Sequence, residues 1–74
     1  MGTMRIRADE SLVQVLERIQ REVALDLKRT YNLDEVTLSG NMASKILAAK
    51  MNGRTAIDFR IRKNGLNKGV FELI

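Results

Sequence analysis

The spacing of apolar positions changes three times along this 74-residue chain. Met4-Arg5-Ile6-Arg7 alternates residue by residue, which predicts a short strand with Met4 and Ile6 on one face. From about Asp9 to Tyr31 there is no glycine or proline, and Leu12, Leu16, Ile19, Val23 and Leu27 recur at steps of four, three, four and four. That spacing is one stripe of an α-helix, widened by Val13 and Val15 and continued along one edge by Ala24 and Tyr31. Asp9 can cap its start, and Ser11 with Gln14 has the spacing of a capping box. Asn32 is a reasonable stop, because asparagine tolerates the left-handed conformation. Leu25 falls on the opposite, charged side of this helix, either as a lone exposed leucine or as a second apolar contact between subunits.

Leu33 to Leu38 reads as a connector pinned to the core by Leu33, Val36 and Leu38. Ser39 or Thr37 can cap a second helix from about Gly40 to Asn52, with Met42, Ile46 and Ala49 as its stripe and Gly53 as its closing glycine. The last segment alternates again. Ile57, Phe59 and Ile61 interleave with Asp58, Arg60 and Arg62, and Val70 to Ile74 is the return strand of a hairpin. Pairing Ile57 with Leu73 and Phe59 with Phe71 keeps both inner rows apolar around a tip at Asn64-Gly65-Leu66. A two-residue Asn64-Gly65 turn would instead bring Ile57 opposite Glu72, so burial selects the first register. Gly69 is expected to ease a bend or form a bulge. The fold expected is α+β: a short N-terminal strand, helices at about 9–31 and 40–52, and a hairpin at about 56–62 and 70–74. Both helices pack on one face of a small antiparallel sheet.

Length allows one domain, residues 1–74, and a chain this short leaves a small stability margin. Met1-Gly2-Thr3 reads as an expression remnant ahead of Met4. The chain contains no cysteine and no histidine, which removes disulfides, cysteine-based metal sites and the commonest general base. Oligomerisation is then the usual remaining way to stabilise so small a fold, and a homodimer is expected. No phosphate-cradling glycine loop is present, and Ser11, Ser39 and Ser44 have no histidine to activate them. The adjacent Asp34 and Glu35 read as solvated or capping carboxylates. These features point away from an enzyme, and they imply no cofactor and no metal. No apolar run approaches the length of a membrane span and no signal peptide is visible, so a cytoplasmic protein is expected.

Charge then narrows the function. The net charge is +4, and residues 54–74 hold five basic side chains against two acidic ones, while residues 1–53 hold eight against seven. The excess therefore belongs to the hairpin. A basic ribbon suits a polyanion, and Arg60 and Arg62 should project from one strand face about 7 Å apart. Lys63 and Lys68 flank the tip, and Arg54, Arg5 and Arg7 add to the basic set. The expected function is nucleic-acid binding by a regulator or accessory factor, through Arg60, Arg62, Lys63, Lys68, Arg54, Arg5 and Arg7. No aromatic residue is available on the open face to stack on unpaired bases, which argues against single strands and leaves duplex DNA or structured RNA, with duplex DNA the expected ligand of the two. The plainer reading is that Arg60 and Arg62 keep an open sheet face soluble, with Asp58 and Glu72 as partners. The alternative function is a protein-interaction module, an adaptor or inhibitor, using the helix face around Leu25 or a sheet edge.

Met4-Arg5-Ile6-Arg7, the helix after it, and Val36-Thr37-Leu38-Ser39-Gly40-Asn41-Met42-Ala43-Ser44-Lys45-Ile46-Leu47 together resemble the ribbon-helix-helix DNA-binding family. The likeness covers about 45 residues. It implies that the N-terminal strand pairs with its copy in a dimer, that Arg5 and Arg7 read bases, and that Ser39 to Asn41 hold the DNA backbone. A longer first helix and a hairpin after the second helix stand outside that pattern, and the expected fold stays with the α+β arrangement.

Overall fold

Ser11, not Asp9, starts the first helix. Its backbone N–H donates to Gln14 Oε1 at 2.8 Å, and its Oγ accepts from the Gln14 N–H at 3.2 Å, which is a complete capping box. The computed structural model describes residues 2–74, and Met1 lies outside them. Helix α1 runs in three sections, Leu12–Arg18, Ile19–Val23 and Ala24–Tyr31, the middle one a π-helical turn. There the Ala24 N–H donates to the Ile19 carbonyl, five residues back. The buried stripe is Val15, Ile19, Ala24 and Leu27, with Leu12, Leu16 and Val23 half-buried beside it. This corrects the expected stripe. The wide turn absorbs one extra residue, so Ala24 takes the inward position that uniform α-helical spacing gives to Val23. Asn32 closes α1 in the left-handed conformation (φ 53°), as expected.

The segment expected to be a connector contains a strand. Glu35–Leu38 forms β2, which runs parallel to the last strand with Val36 opposite Gly69 and Leu38 opposite Phe71. Helix α2 spans Met42–Met51 and buries Met42, Ile46 and Ala49. Neither Ser39 nor Thr37 caps it. Asn41 occupies the cap position, and the Ser39 hydroxyl donates to Asn41 Oδ1 instead. Gly53, with φ +69°, ends the helix in the conformation the sequence anticipates.

The remaining strands are β1 (Gly2–Arg5), β3 (Ala56–Lys63) and β4 (Lys68–Leu73). The sheet order is β1-β3-β4-β2, so it is mixed rather than purely antiparallel, β2 being the parallel edge. Gly2 and Thr3, read from sequence as part of an expression remnant, belong to β1 and pair with Phe59 and Asp58. In the hairpin Phe59 pairs with Leu73 and Ile61 with Phe71. This register is shifted by two positions from the expected one. A shift of two leaves every side chain on its face, so burial dictated the parity and the turn set the offset. The turn is centred on Leu66, between Gly65 (φ 108°) and Asn67 (φ 56°). The Phe59 and Phe71 rings still stack, with centroids 4.8 Å apart.

Both helices cover the inward face of this sheet. Val15 and Ile19 of α1, Met42 and Ile46 of α2, and Met4, Ile57, Phe71 and Leu73 of the sheet make one core, joined by Ile6 and Leu27. Phe71 is fully buried at its centre. Gly69 makes no bulge; it pairs in register with Lys63 and Val36. A Cβ there would lie 2.8 Å from Leu33 Cδ1 and 3.1 Å from Ile61 Cγ2. Close approach, and not chain bending, is therefore the reason for glycine.

A second contact joins β1 to both helices. Arg18 binds the Glu10 carboxylate through Nε (2.9 Å) and Nη2 (3.0 Å), and Nη2 also donates to the Arg5 carbonyl. The Arg7 N–H donates to Glu10 Oε1 at 3.0 Å. Lys50 of α2 donates to the Glu10 carbonyl. The hydrogen bond from Arg18, followed by that from the Arg7 amide, lowers the Glu10 pKa from an ordinary 4.5 to about 2.

Two outcomes follow for stability. Gly69→Ala is expected to destabilise the fold by roughly 1–3 kcal/mol in denaturant titration, because Leu33 and Ile61 must move. The Glu10 contact stabilises above pH 4.5, where an unfolded glutamate is ionised, and this contribution fades as pH falls toward about 2. Glu10→Gln is expected to cost on the order of 1–2 kcal/mol at neutral pH. The difference between wild type and variant should shrink between pH 4.5 and 2. A difference that stays constant across that window would show that the carboxylate charge is not what matters.

Candidate nucleic-acid interface

No helix covers the outer face of the sheet. Alternation along β3 places Asp58, Arg60 and Arg62 on that face, and β4 adds Lys68, Val70 and Glu72. Thr3 of β1 and Thr37 of β2 flank them through their pairing with Asp58 and Val70. Val70 is buried there, between Arg62 and Thr37.

The two arginines stand outward as expected, with side chains 59% and 54% exposed. They are also held by one carboxylate. Arg60 Nε donates to Glu72 Oε2 at 3.0 Å and Arg62 Nε to Glu72 Oε1 at 2.7 Å. Glu72 sits directly opposite Arg60, and Arg62 reaches it from the diagonal position. The hydrogen bonds from Arg62, then Arg60, hold the Glu72 pKa below the ordinary carboxylate value. The trio carries a net charge of +1. Each guanidinium commits its Nε to Glu72, and among the described residues its terminal nitrogens have no protein hydrogen-bond partner. Glu72 therefore both reduces the charge and fixes the direction of two arginine forks. Nearby, the Thr3 hydroxyl donates to Asp58 Oδ1 at 3.0 Å, and Lys68 Nζ lies 3.9 Å from Glu35 in an exposed, loose pair.

The seven basic residues singled out from sequence fall into two groups. Arg60, Arg62, Lys63 and Lys68 gather along the hairpin and at its tip. Arg5, Arg7 and Arg54 lie at the other end of β3. Arg5 pairs with Ala56, four positions from Arg60 and so about 13 Å along the strand. Arg7 and Arg54 line one hollow with Ile6, Lys50 and Thr55. Of the first group, only Lys68 shares the outer face with the guanidinium pair. Lys63, one position after Arg62, has the opposite parity and sits at the tip on the other side of the hairpin. The role of Glu72 as a shared holder was not read from sequence, where it counted only as a neutralising partner. Its position opposite Arg60 follows from the register, which the sequence left two residues off.

The ribbon-helix-helix resemblance does not survive the topology. A strand, β2, lies between the two helices, and β1 pairs with β3 of its own chain in a four-stranded sheet, so the element order is not strand-helix-helix. At the start of α2 the Ser39 N–H is committed to the Phe71 carbonyl, which removes one of the three residues' amides that the resemblance assigns to the DNA backbone. Among the described residues no helix is long and apolar enough to cross a membrane. No protein-family model matches the chain, and no curated protein or solved structure is significantly similar to it.

Proposed function

We propose that this protein binds nucleic acid, duplex DNA in preference to RNA, as a small non-enzymatic regulator or accessory factor of the cytoplasm. The observation that carries the reading is the arginine pair on the uncovered sheet face, anchored through Nε with the terminal nitrogens unpaired. Guanidinium forks presented in this way suit phosphate oxygens. Their spacing of about two residues of strand is on the scale of successive phosphates. Lys68 extends the basic surface to the tip, and Lys63 adds a charge on the other side of the turn. The balance with Glu72 and Asp58 makes the surface modest in charge, which suits a few phosphate contacts and not a wide electrostatic footprint.

Binding to random duplex at 50 mM salt is expected to weaken as salt rises, by about 0.9 log unit per phosphate contact per decade, with two to three contacts. Replacing both Arg60 and Arg62 with Glu should abolish binding without altering the fold. Glu72→Gln keeps one oxygen to accept from an arginine Nε and removes a negative charge from the phosphate surface, and the loss of charge should outweigh the lost anchor and tighten binding several-fold. No binding by wild type at low salt, or unchanged affinity in the double variant, would remove the proposal.

A second reading rests on the β2 edge. The Ser39 N–H points to β4, so by the period of a parallel ladder Thr37 and Glu35 also face β4, and Val36 and Leu38 turn their backbone groups outward. An open edge of this kind accepts a strand from a partner protein or a second copy. Self-pairing would give a homodimer with one continuous sheet. Sizing at high micromolar concentration is expected to show that dimer, and a single monomer peak would eliminate it.

A further inference from the structure

The hairpin tip carries an apolar side chain that the core does not use. Leu66 is 87% exposed, more than any other large hydrophobic residue among those described. Its neighbours are Lys63, Asn64, Gly65, Asn67 and Lys68, all polar, charged or glycine. A leucine in a loose loop would need no explanation. This loop is pinned. The Asn64 N–H donates to the Lys68 carbonyl at 2.9 Å, and the Asp34 N–H donates to the Asn67 carbonyl at 2.7 Å, tying the tip to the entry of β2. Gly65 and Asn67 both adopt positive φ, 108° and 56°, and Leu66 stands at the apex between them. Among the described residues β1 pairs with β3 as far as Phe59, while β2 accompanies β4 to Lys68, next to the turn.

We infer that Leu66 is a wedge that enters the minor groove of duplex DNA and parts a base step, while Lys63 and Lys68 hold the phosphates on either side. This rests on the nucleic-acid reading above and names how that surface engages its ligand. An apolar side chain at the apex of a hairpin turn braced by β2, flanked by lysines and by asparagine amides, matches the chemistry of such insertion. The amides suit the acceptor-rich groove floor, and the leucine gains by leaving water for the space between bases. Lys68 lies on the same face as Arg62, two positions along β4 from Val70, the residue opposite Arg62, so the same duplex can meet the guanidinium pair and the tip. Pyrimidine–purine steps, which unstack most easily, are the preferred point of entry.

The test uses a duplex of about 25 base pairs with central TA steps, carrying end labels for energy transfer and 2-aminopurine beside one step. Wild type should bring the ends closer and brighten the 2-aminopurine. Leu66→Ala should keep its melting temperature, bind roughly tenfold more weakly, as loss of a buried leucine implies, and leave the duplex straight. The chain has no tryptophan, so Leu66→Trp supplies a single fluorophore, expected to be quenched by stacking when duplex is added. If wild type binds but neither bends nor unstacks the duplex, or if Leu66→Ala binds and bends it equally well, the wedge is overturned and the arginine reading stands. If wild type binds no duplex at low salt, both fall together. A blue shift of the indole fluorescence of the Leu66→Trp variant with vesicles of phosphatidylcholine and phosphatidylserine, without quenching by duplex, would assign the tip to a lipid surface and also overturn the wedge.

Discussion

The parity of pairing between β3 and β4 is the constraint on which the rest depends. Side chains on a strand alternate faces, so a single choice decides which residues meet the helices. With Phe59 opposite Leu73 and Ile61 opposite Phe71, the apolar rows of both strands share one face. The same choice sends Arg60, Arg62 and Glu72 to the other. An odd slip would bring guanidinium groups against Ile19, Ile46 and Val15, and unpaired charge in such a core is strongly destabilising. The core and the charged surface are therefore two sides of one pairing decision.

Everything else adapts to that hairpin. Helix α1 must follow the sheet from the end of β1 to β2, and its π-turn lets Ile19 and Ala24 both face inward. Without that turn, uniform α-helical spacing would carry Ala24 sideways and bring Val23 in, with a larger side chain near the layer below. The loop before α1 is tied by Arg18 to β1 and by Lys50 to α2, so the ion pair with Glu10 sits where three elements meet. β2 completes the sheet on the far side, so β1 and β2 are its two edges.

On the charged face one glutamate holds two arginines, which lowers the local charge but restricts both side chains to defined directions. Long flexible cations lose entropy when they bind a ligand, and prior anchoring through Nε reduces that loss. The net excess of positive charge is small, so shape and direction matter as much as field strength on this surface.

Sequence alone determined what is local in the chain. The capping box at Ser11, the left-handed Asn32, the closing Gly53 and the alternation of Ile57 to Arg62 are each legible because the interacting residues lie within a few positions of one another. From them come two helices, a hairpin, their approximate limits and the outward direction of Arg60 and Arg62. Tertiary structure decided what depends on distant partners. Glu35–Leu38 is a strand only because β4 lies beside it, and Gly2 and Thr3 are a strand only against Asp58 and Phe59. The inward turn of Ala24 depends on the sheet below the helix, and the sharing of Glu72 depends on a register that burial fixes only to within two residues. The seven basic residues singled out from sequence divide between opposite ends of β3 once the strands are placed. Local hydrogen bonds and periodicity are written in neighbouring residues, whereas pairing and packing are settled by the free energy of the whole assembled core.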